Sequence, residues 1–434
     1  MNDKDLKWRG EHPLKSPTMK NNAHKNRSHS GTPVVLLSLF WIVLLVSIKS
    51  TGDGNLRFSL DPRLSYIVLT LIMSFLFFTE THNQEKSMKS QKFSKGFRIR
   101  KDLSSLAIFT TILLGALSSL TTLVSTPARI AALLLSLLLI SLGSKLPQAL
   151  IHKSIIDAAY FLTIIGFVLF STGNQSGTML SGYSYNPFQY RFQSILMHPN
   201  VFGLFCAIGL ILFVSSKGRS KIRLAALTSG LALSENRAAI FAAVIVIGLL
   251  KFTETRESFK SEKSNSVKNI SWLLIGAIFS AYLSFTLFLQ PRSGSEDLYT
   301  GRQVIWSECI KLIEASPWIG NGPDYFQTVY GSSTTNSLIA YHCHNQFLDN
   351  TLNFGVLNSL LLIVLIIYAA TRTWNESSNY LGSVFLLVLV DGLFEVPVRF
   401  FSTFQNYWIT VILLILWKSH ANNKISTGKL LLRE

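Results

Sequence analysis

The run NFGVLNSLLLIVLIIYAAT, residues 353–371, shows most directly what kind of fold this chain has. It carries no charged side chain, and similar runs of about 15 to 21 residues recur along the sequence, which is the length of a membrane-crossing helix. The 434 residues are 48% hydrophobic and only 15% charged, against about 25% charged in soluble domains. We therefore predict an all-α polytopic membrane protein with about 12 transmembrane helices. The apolar runs lie at 33–48, 64–79, 103–123, 129–144, 154–171, 198–215, 224–234, 236–250, 270–290, 353–371, 380–395 and 402–418.

The basic residues lie mainly between these runs. A net charge of +17 could indicate nucleic-acid binding, but Lys and Arg in short loops are typical of the cytoplasmic side of a membrane protein. We expect no nucleic-acid partner. Residues 1–31 are polar and basic, with no signal-length apolar run before Pro33, and are predicted to be a disordered cytoplasmic arm. Residues 32–420 would form the transmembrane domain, and 421–434 a cytoplasmic tail.

The basic loops also predict the topology. The loops at 217–223 and 251–268 should both lie inside, which a single straight helix over 224–250 would not allow. We prefer a hairpin of two short helices that turns at 234–237, because charges there are costly in mid-membrane. Both termini are then cytoplasmic, and the loops 172–197 and 291–352 lie outside. The second of these is the large, helical, periplasmic loop of the predicted fold.

The polar interval at 301–358 holds the first candidate site. Residues 303–315 have the spacing of an amphipathic helix, and Arg302 stands at its start. A cation at that end opposes the helix dipole, and a bound anion such as phosphate would resolve the conflict. A solvated surface arginine is the alternative.

The cluster His342-Cys343-His344-Asn345 follows in the same interval. Histidine and cysteine can ligate zinc, but no spaced second ligand pair accompanies them, and we expect no metal. A general base is better motivated, because neutral histidine titrates near working pH. A loop histidine bonded to the backbone is the plain alternative. Cys309 and Cys343 could pair in an oxidising compartment, but the sequence does not show that they are close.

Further ionisable residues stand near the predicted outer ends of apolar runs. Such residues are functional candidates, although Arg191 and Arg399 could equally be snorkelling anchors. Asp391 could face a pore or pair with Arg399. The set comprises Arg191, His198, Glu235, Arg237, Asp391, Glu395 and Arg399.

Nucleotide-binding signatures such as a P-loop or GxGxxG are missing from the sequence, and we expect no cofactor. The energy for a reaction must then arrive with the substrate. A lipid-linked diphosphate sugar meets that need, because arginines can stabilise the departing diphosphate without a metal. The acceptor hydroxyl would require a base.

These motifs resemble the O-antigen ligase and polymerase family of bacterial membrane glycosyltransferases. The resemblance covers roughly 100–400 and departs from the family pattern at Asn358 and in the Ser-Glu-Asn-Arg tip at 234–237. It rests on Gly301-Arg302 with Trp306, Pro317-x-x-Gly320-x-Gly322, His344-Asn345 with Gly355, His198-Pro199-Asn200 with Gly203, and Arg237 followed by two alanines.

The resemblance implies a metal-independent, inverting transfer on the periplasmic face of the bacterial inner membrane. The donor would be a glycan on undecaprenyl diphosphate, and the acceptor a glycan or lipid A-core. Arg237 and Arg302 would hold the diphosphate, and His344 would orient or deprotonate the acceptor hydroxyl. Substrate-binding roles are predicted for Arg191, His198, Glu235 and Asn345.

Two other functions fit the sequence. Twelve segments suit a transporter of a small anion such as bicarbonate, with Asp391 and Glu235 as candidate coupling charges. The large outer loop favours an enzyme instead. A glycan-binding or assembly subunit without chemistry is the third possibility, and it would tolerate His344→Ala.

Overall fold

A computed structural model describes twelve ranges of the chain. These are 37–38, 136–137, 139–143, 145–172, 178–180, 190–196, 198–216, 218–259, 302–330, 342–374, 380–399 and 406–431. The predicted N-terminal arm and the runs at 64–79, 103–123 and 270–290 lie outside them. The number of membrane crossings therefore remains a prediction.

Helices dominate the described residues. Two of them are long and apolar enough to cross a membrane, over Gln148–Ser171 and Gln346–Thr371. In chain order the helices are α1 (Gln148–Ser171), α2 (Pro199–Ser215), α3 (Lys221–Leu233), α4 (Arg237–Phe259), α5 (Arg302–Glu314), α6 (Tyr325–Tyr330), α7 (Gln346–Trp374), α8 (Tyr380–Asp391) and α9 (Asn406–Leu431). The predicted tail boundary at residue 420 falls inside α9.

Helix α2 is the centre of the packing. It is apolar on all sides, and nearly all its residues are buried, as expected for a helix without a polar face. Helices α1, α3, α4 and α8 pack against it. His198 caps its first turn, because its Nδ1 accepts a hydrogen bond from the Asn200 amide at 3.1 Å.

Helices α3 and α4 are separated by a break, as predicted from the charged residues at 234–237. Helix α3 ends at Leu233 and α4 begins at Arg237. Between them Glu235 adopts a left-handed backbone (φ 50°), and the Ser234 hydroxyl accepts a hydrogen bond from the Asn236 amide at 3.1 Å. The alternative of one straight helix over 224–250 is therefore wrong.

Two short strands occupy part of the predicted loop 172–197. Strand β1 (Thr178–Leu180) pairs antiparallel with β2 (Tyr190–Phe192), and Met179 lies opposite Arg191. Phe192 is buried against aromatic rings of α1, a position that suits a strand-forming aromatic residue. The fold is therefore mostly helical rather than all-α.

Helix α7 contains a break at Gly355, where φ is +85°. The loop that follows α5 fills this break with backbone hydrogen bonds. The Val356 amide donates to the Pro317 carbonyl at 2.8 Å, and the Gly322 amide donates to the Asn353 carbonyl at 2.9 Å. A Cβ at Gly355 would collide with the backbone of Trp318, so the close approach requires glycine.

Helix α5 is also joined to the chain before α7 by a disulfide bond between Cys309 and Cys343. Both cysteines are buried with Ile305, Phe326 and Leu352 in a small apolar cluster. The pairing that the sequence left open is thus present. It fixes α5 beside the segment that contains His344.

Candidate active site

Three side chains that are distant in the sequence meet at Glu395. Its Oε1 accepts a hydrogen bond from Arg302 Nη2 at 2.7 Å, and its Oε2 lies 3.2 Å from His344 Nδ1. The glutamate side chain is 8% exposed, and the arginine side chain 15%. The interpretation of Arg302 as a solvated surface residue is therefore wrong. Glu395 supplies the anion that the start of α5 requires.

Glu395 is charged in this setting. Burial alone would raise its pKa, but electrostatic attraction to His344 and Arg302, with the hydrogen bond from His344, holds the pKa well below the ordinary value. An ionised carboxylate only accepts hydrogen bonds. His344 therefore donates through Nδ1, which leaves Nε2 as the nitrogen that can accept a proton.

A second histidine stacks against the first. The rings of His342 and His344 lie 4.1 Å apart, and the His344 amide donates to His342 Nδ1 at 3.1 Å. Burial lowers the pKa of His342 well below its ordinary value, and electrostatic repulsion by His344, Arg399 and His198 lowers it further. His342 is thus held neutral and supports the backbone of His344.

The segment that contains Glu395 is fixed to the start of α7 by Gln346. The Gln346 amide donates to the Gly392 carbonyl at 2.8 Å. Its side chain pairs with Val398, donating to the carbonyl at 2.7 Å and accepting from the amide at 2.8 Å. Both ends of the 392–398 segment are therefore held, and Glu395 lies between them.

Arg399 forms a buried ion network below the site. It donates to Asp324 at 3.1 Å and to Asp349 at 3.4 Å. Asp349 also accepts the Cys343 amide at 3.2 Å, next to His344. Arg399 is buried, so the interpretation as a snorkelling anchor is wrong.

His344 itself has a left-handed backbone, with φ 47°. Asp324, which pairs with Arg399, also has a left-handed backbone, and so does Glu235 at the α3–α4 break. Strained backbone of this kind persists where the surrounding contacts over-determine it, and such residues cluster at functional sites.

The side chain of Asn345 bonds to backbone groups at the start of α7 and near Glu395. Its side-chain oxygen accepts from the Phe347 and Leu348 amides at 2.9 and 3.1 Å, and its Nδ2 donates to the Leu393 carbonyl at 3.0 Å. It therefore caps α7 and holds the Glu395 segment. The predicted substrate-binding role of Asn345 remains a prediction.

Arg237 is the first residue of α4. Phe241, one turn later on the same helix face, makes a ring contact with Phe394 at 6.3 Å. The start of α4 therefore lies beside the segment that holds Glu395. This is the proximity that a shared anion site would need.

Arg191 and Glu235 are buried and hold the α3–α4 break. Arg191 donates to the Asn200 side chain at 2.6 Å and to the Ser234 carbonyl at 3.1 Å, and its Nε lies 3.6 Å from Glu235 Oε2. The snorkelling interpretation of Arg191 is wrong, because the side chain is buried. The predicted substrate roles of Arg191, Glu235 and His198 stay predictions, and the contacts of Arg191 fix the break that precedes Arg237.

The spacing of three side chains would also suit a metal ion. Ligand atoms of His342, His344 and Glu395 lie within 4.8 Å of one another. However, Arg302 already bonds one oxygen of the carboxylate, and Arg399 adds further positive charge. A divalent cation would have to compete with these guanidinium groups. The expectation of a site without metal remains a prediction.

Several residues that shape the site were not selected from the sequence. The sequence indicates Glu395 only as an ionisable residue near the outer end of an apolar run, and it gives no signal for Gln346 or Asp349. A carboxylate near the end of an apolar run was a signal for Glu395. The contacts of Gln346 are with backbone groups about 50 residues away, and no local pattern indicates them.

The described residues form a mostly helical fold, with two helices long and apolar enough to cross a membrane, and an arginine–carboxylate–histidine centre. Residues 201–363 match the family model described as O-antigen ligase. This match confirms the resemblance to the O-antigen ligase family, and it includes Arg237, Arg302 and His344. The family implies a membrane enzyme that transfers glycosyl groups. No curated protein matches the sequence.

Proposed function

We propose that this protein transfers a glycan from an undecaprenyl-diphosphate donor to a saccharide hydroxyl. The observation that carries the proposal is the position of Glu395 between Arg302 and His344. One carboxylate thereby links a group suited to bind phosphate with a group suited to accept a proton. Such a pairing fits a reaction in which an anion leaves and a hydroxyl is deprotonated.

Arg302 and Arg237 would bind the donor diphosphate. Arg302 donates to Glu395 at 2.7 Å, and a guanidinium group with five N–H donors can contact more than one acceptor. Arginine matches the geometry of phosphate oxygens and remains charged. As the bond from the sugar to the diphosphate breaks, these charges stabilise the diphosphate that leaves.

His344 would act on the acceptor. Its Nε2 takes the proton of the acceptor hydroxyl as the oxygen attacks the anomeric carbon of the donor sugar. One C–O bond forms and one breaks on the opposite side, which inverts the configuration. Glu395 orients the ring through Nδ1 and stabilises the imidazolium that results.

The reaction proposed here needs no metal, because guanidinium groups neutralise the leaving group. The chain would lie in the bacterial inner membrane with both termini in the cytoplasm and the site on the periplasmic face. The buried disulfide between Cys309 and Cys343 supports this location, since disulfides form and persist in oxidising compartments.

Purified protein and a defined lipid-diphosphate glycan test the proposal. Arg302→Lys should lower the transfer rate by about 10² to 10³, because a lysine does not reproduce the bidentate contact. His344→Ala should lower it by about 10² to 10⁴. Matched controls are Arg219→Lys, on the exposed loop before α3, and His420→Ala, near the middle of α9. Full transfer by both site variants would refute the mechanism.

Ligase and polymerase activities differ in the product. Deletion of the gene should remove the surface glycan either above one repeat unit, which indicates polymerase, or altogether with accumulation of lipid-linked polymer, which indicates ligase. An unchanged glycan pattern would argue against both.

A further inference from the structure

Two large apolar side chains project from the loop after α5. Trp318 is 67% exposed and Ile319 65% exposed. They follow Pro317, which lies three residues beyond the end of α5. The site described above leaves both side chains unused.

The loop that presents them is firmly fixed. Pro317 on one side accepts a backbone hydrogen bond from α7, and Asn321 on the other donates to the Leu352 carbonyl at 2.8 Å. The Asn321 side chain also reaches the carbonyls of Leu312 and Leu352, at 3.2 and 3.3 Å. Hydrogen bonds on both sides therefore fix the turn that exposes Trp318 and Ile319.

An exposed apolar stripe continues from this turn along α7. Leu357, Leu360, Val364 and Ile367 are all exposed among the described residues. Their spacing of three and four residues lines one face of a helix. The stripe lies within Gln346–Thr371, which is long and apolar enough to cross a membrane, so lipid is the medium that such an apolar face would meet.

We propose that Trp318 and Ile319 insert into the headgroup–acyl boundary of the bilayer, at the end of the α7 stripe. Tryptophan is enriched at this depth because its ring is apolar and its N–H is polar. The turn contacts α7 at Gly355, two residues before the first exposed residue of the stripe, Leu357. The lipid contact of the stripe therefore extends onto the turn.

The insertion would set the height of the active site. The turn is continuous with α5, whose first residue is Arg302, and the disulfide joins α5 to the residue before His344. Anchoring the turn would hold Arg302 and His344 at the membrane surface, where a lipid-linked donor exposes its diphosphate. This consequence rests on the proposed function, whereas the insertion itself does not.

A spin label at residue 319 tests the insertion. The protein is reconstituted in lipid nanodiscs as Ile319→Cys carrying a nitroxide. Native thiols do not interfere, because Cys206 is buried and the other two cysteines form the disulfide. Collision rates are measured with oxygen, which concentrates in the bilayer, and with a polar nickel chelate, which remains in water.

Two reference positions calibrate the result. Val364→Cys, on the α7 stripe, should favour oxygen strongly, and Ser307→Cys, on the exposed side of α5, should favour the nickel chelate. Residue 319 should favour oxygen at a shallower depth than residue 364. Accessibility equal to residue 307 would overturn the proposal. Protection from both reagents would also overturn it, since it would mean that protein or a second copy of the chain covers the turn.

Activity supplies an independent second arm. Trp318→Ser should slow transfer from a full-length lipid donor in nanodiscs by about tenfold, with Trp318→Phe close to wild type. The same Trp318→Ser protein should match wild type with a short-chain donor in detergent, where no bilayer sets the height. Equal slowing in both media would refute the anchoring role. If the wild-type protein and the variants alike transfer no glycan, the proposed function fails, while the spin-label result still decides whether the turn inserts.

Discussion

Replacing Glu395 by Gln is the sharpest perturbation of the site, because it removes one charge and keeps the shape. The carboxylate now accepts from Arg302 Nη2 at 2.7 Å and from His344 Nδ1 at 3.2 Å. A glutamine has one accepting oxygen and one donating nitrogen. If the oxygen stays on Arg302, the amide nitrogen faces His344 and donates to its Nδ1.

That exchange would reverse the tautomer of His344. With Nδ1 accepting, the ring hydrogen moves to Nε2, which is then unable to take the proton of the acceptor hydroxyl. General base catalysis contributes about 10² to 10⁴ in rate, so we expect Glu395→Gln to lower transfer by about 10³. Replacing two hydrogen bonds to a charged carboxylate with neutral ones should also lower the free energy of unfolding, by about 1 to 2 kcal/mol.

The assay compares initial transfer rates of purified, reconstituted proteins, with circular dichroism to establish that each is folded. Glu308→Gln is the matched control. Glu308 pairs with Lys311 at 2.7 Å on the surface of α5, where the lysine is largely exposed, and its loss should change the rate by less than about twofold. A folded Glu395→Gln protein with a transfer rate near wild type would refute the role of Glu395 in orienting His344.

Three further predictions follow from neighbouring contacts. Cys309→Ser should lower the free energy of unfolding by about 4 kcal/mol, since the disulfide spans a separation of 34 residues; Cys206→Ser should remain as sensitive to reductant as wild type. Arg399→Gln should cost about 3 to 5 kcal/mol in denaturant unfolding, because it leaves two buried carboxylates without their cation, whereas exposed Arg219→Gln should change little. The pKa of His342 lies well below its ordinary value in the folded state, so the unfolded chain binds the proton first and stability falls as the pH drops below about 6.5. His342→Gln should reduce that loss in thermal unfolding between pH 7.5 and 5, and equal acid sensitivity of the variant and wild type would contradict it.

Local signals in the sequence predicted much of the helical fold. The apolar run at 198–215 corresponds to α2, Pro199–Ser215, and the amphipathic pattern at 303–315 to α5, Arg302–Glu314. Charged residues inside an apolar stretch correctly predicted the break between α3 and α4. These features depend on residues close together in the chain, which is why patterns reveal them.

The contacts of the site depend on distant residues, and the sequence could only suggest them. Arg302 and Glu395 are 93 residues apart. An anion was expected at Arg302, but a ligand phosphate and a protein carboxylate satisfy the same helix dipole. For Arg191, the sequence suggested substrate binding, whereas its buried hydrogen bonds support the α3–α4 break. No local sequence pattern distinguishes these two roles.

The most direct test of the account is the stoichiometry of the wild-type reaction. Purified protein in nanodiscs is given a defined lipid-diphosphate glycan and an acceptor in the presence of a metal chelator, and both products are quantified by mass spectrometry. One lipid diphosphate should be released for each new glycosidic bond, at a rate that the chelator does not change. No transfer, or transfer that stops with the chelator and returns with a divalent cation, would contradict it.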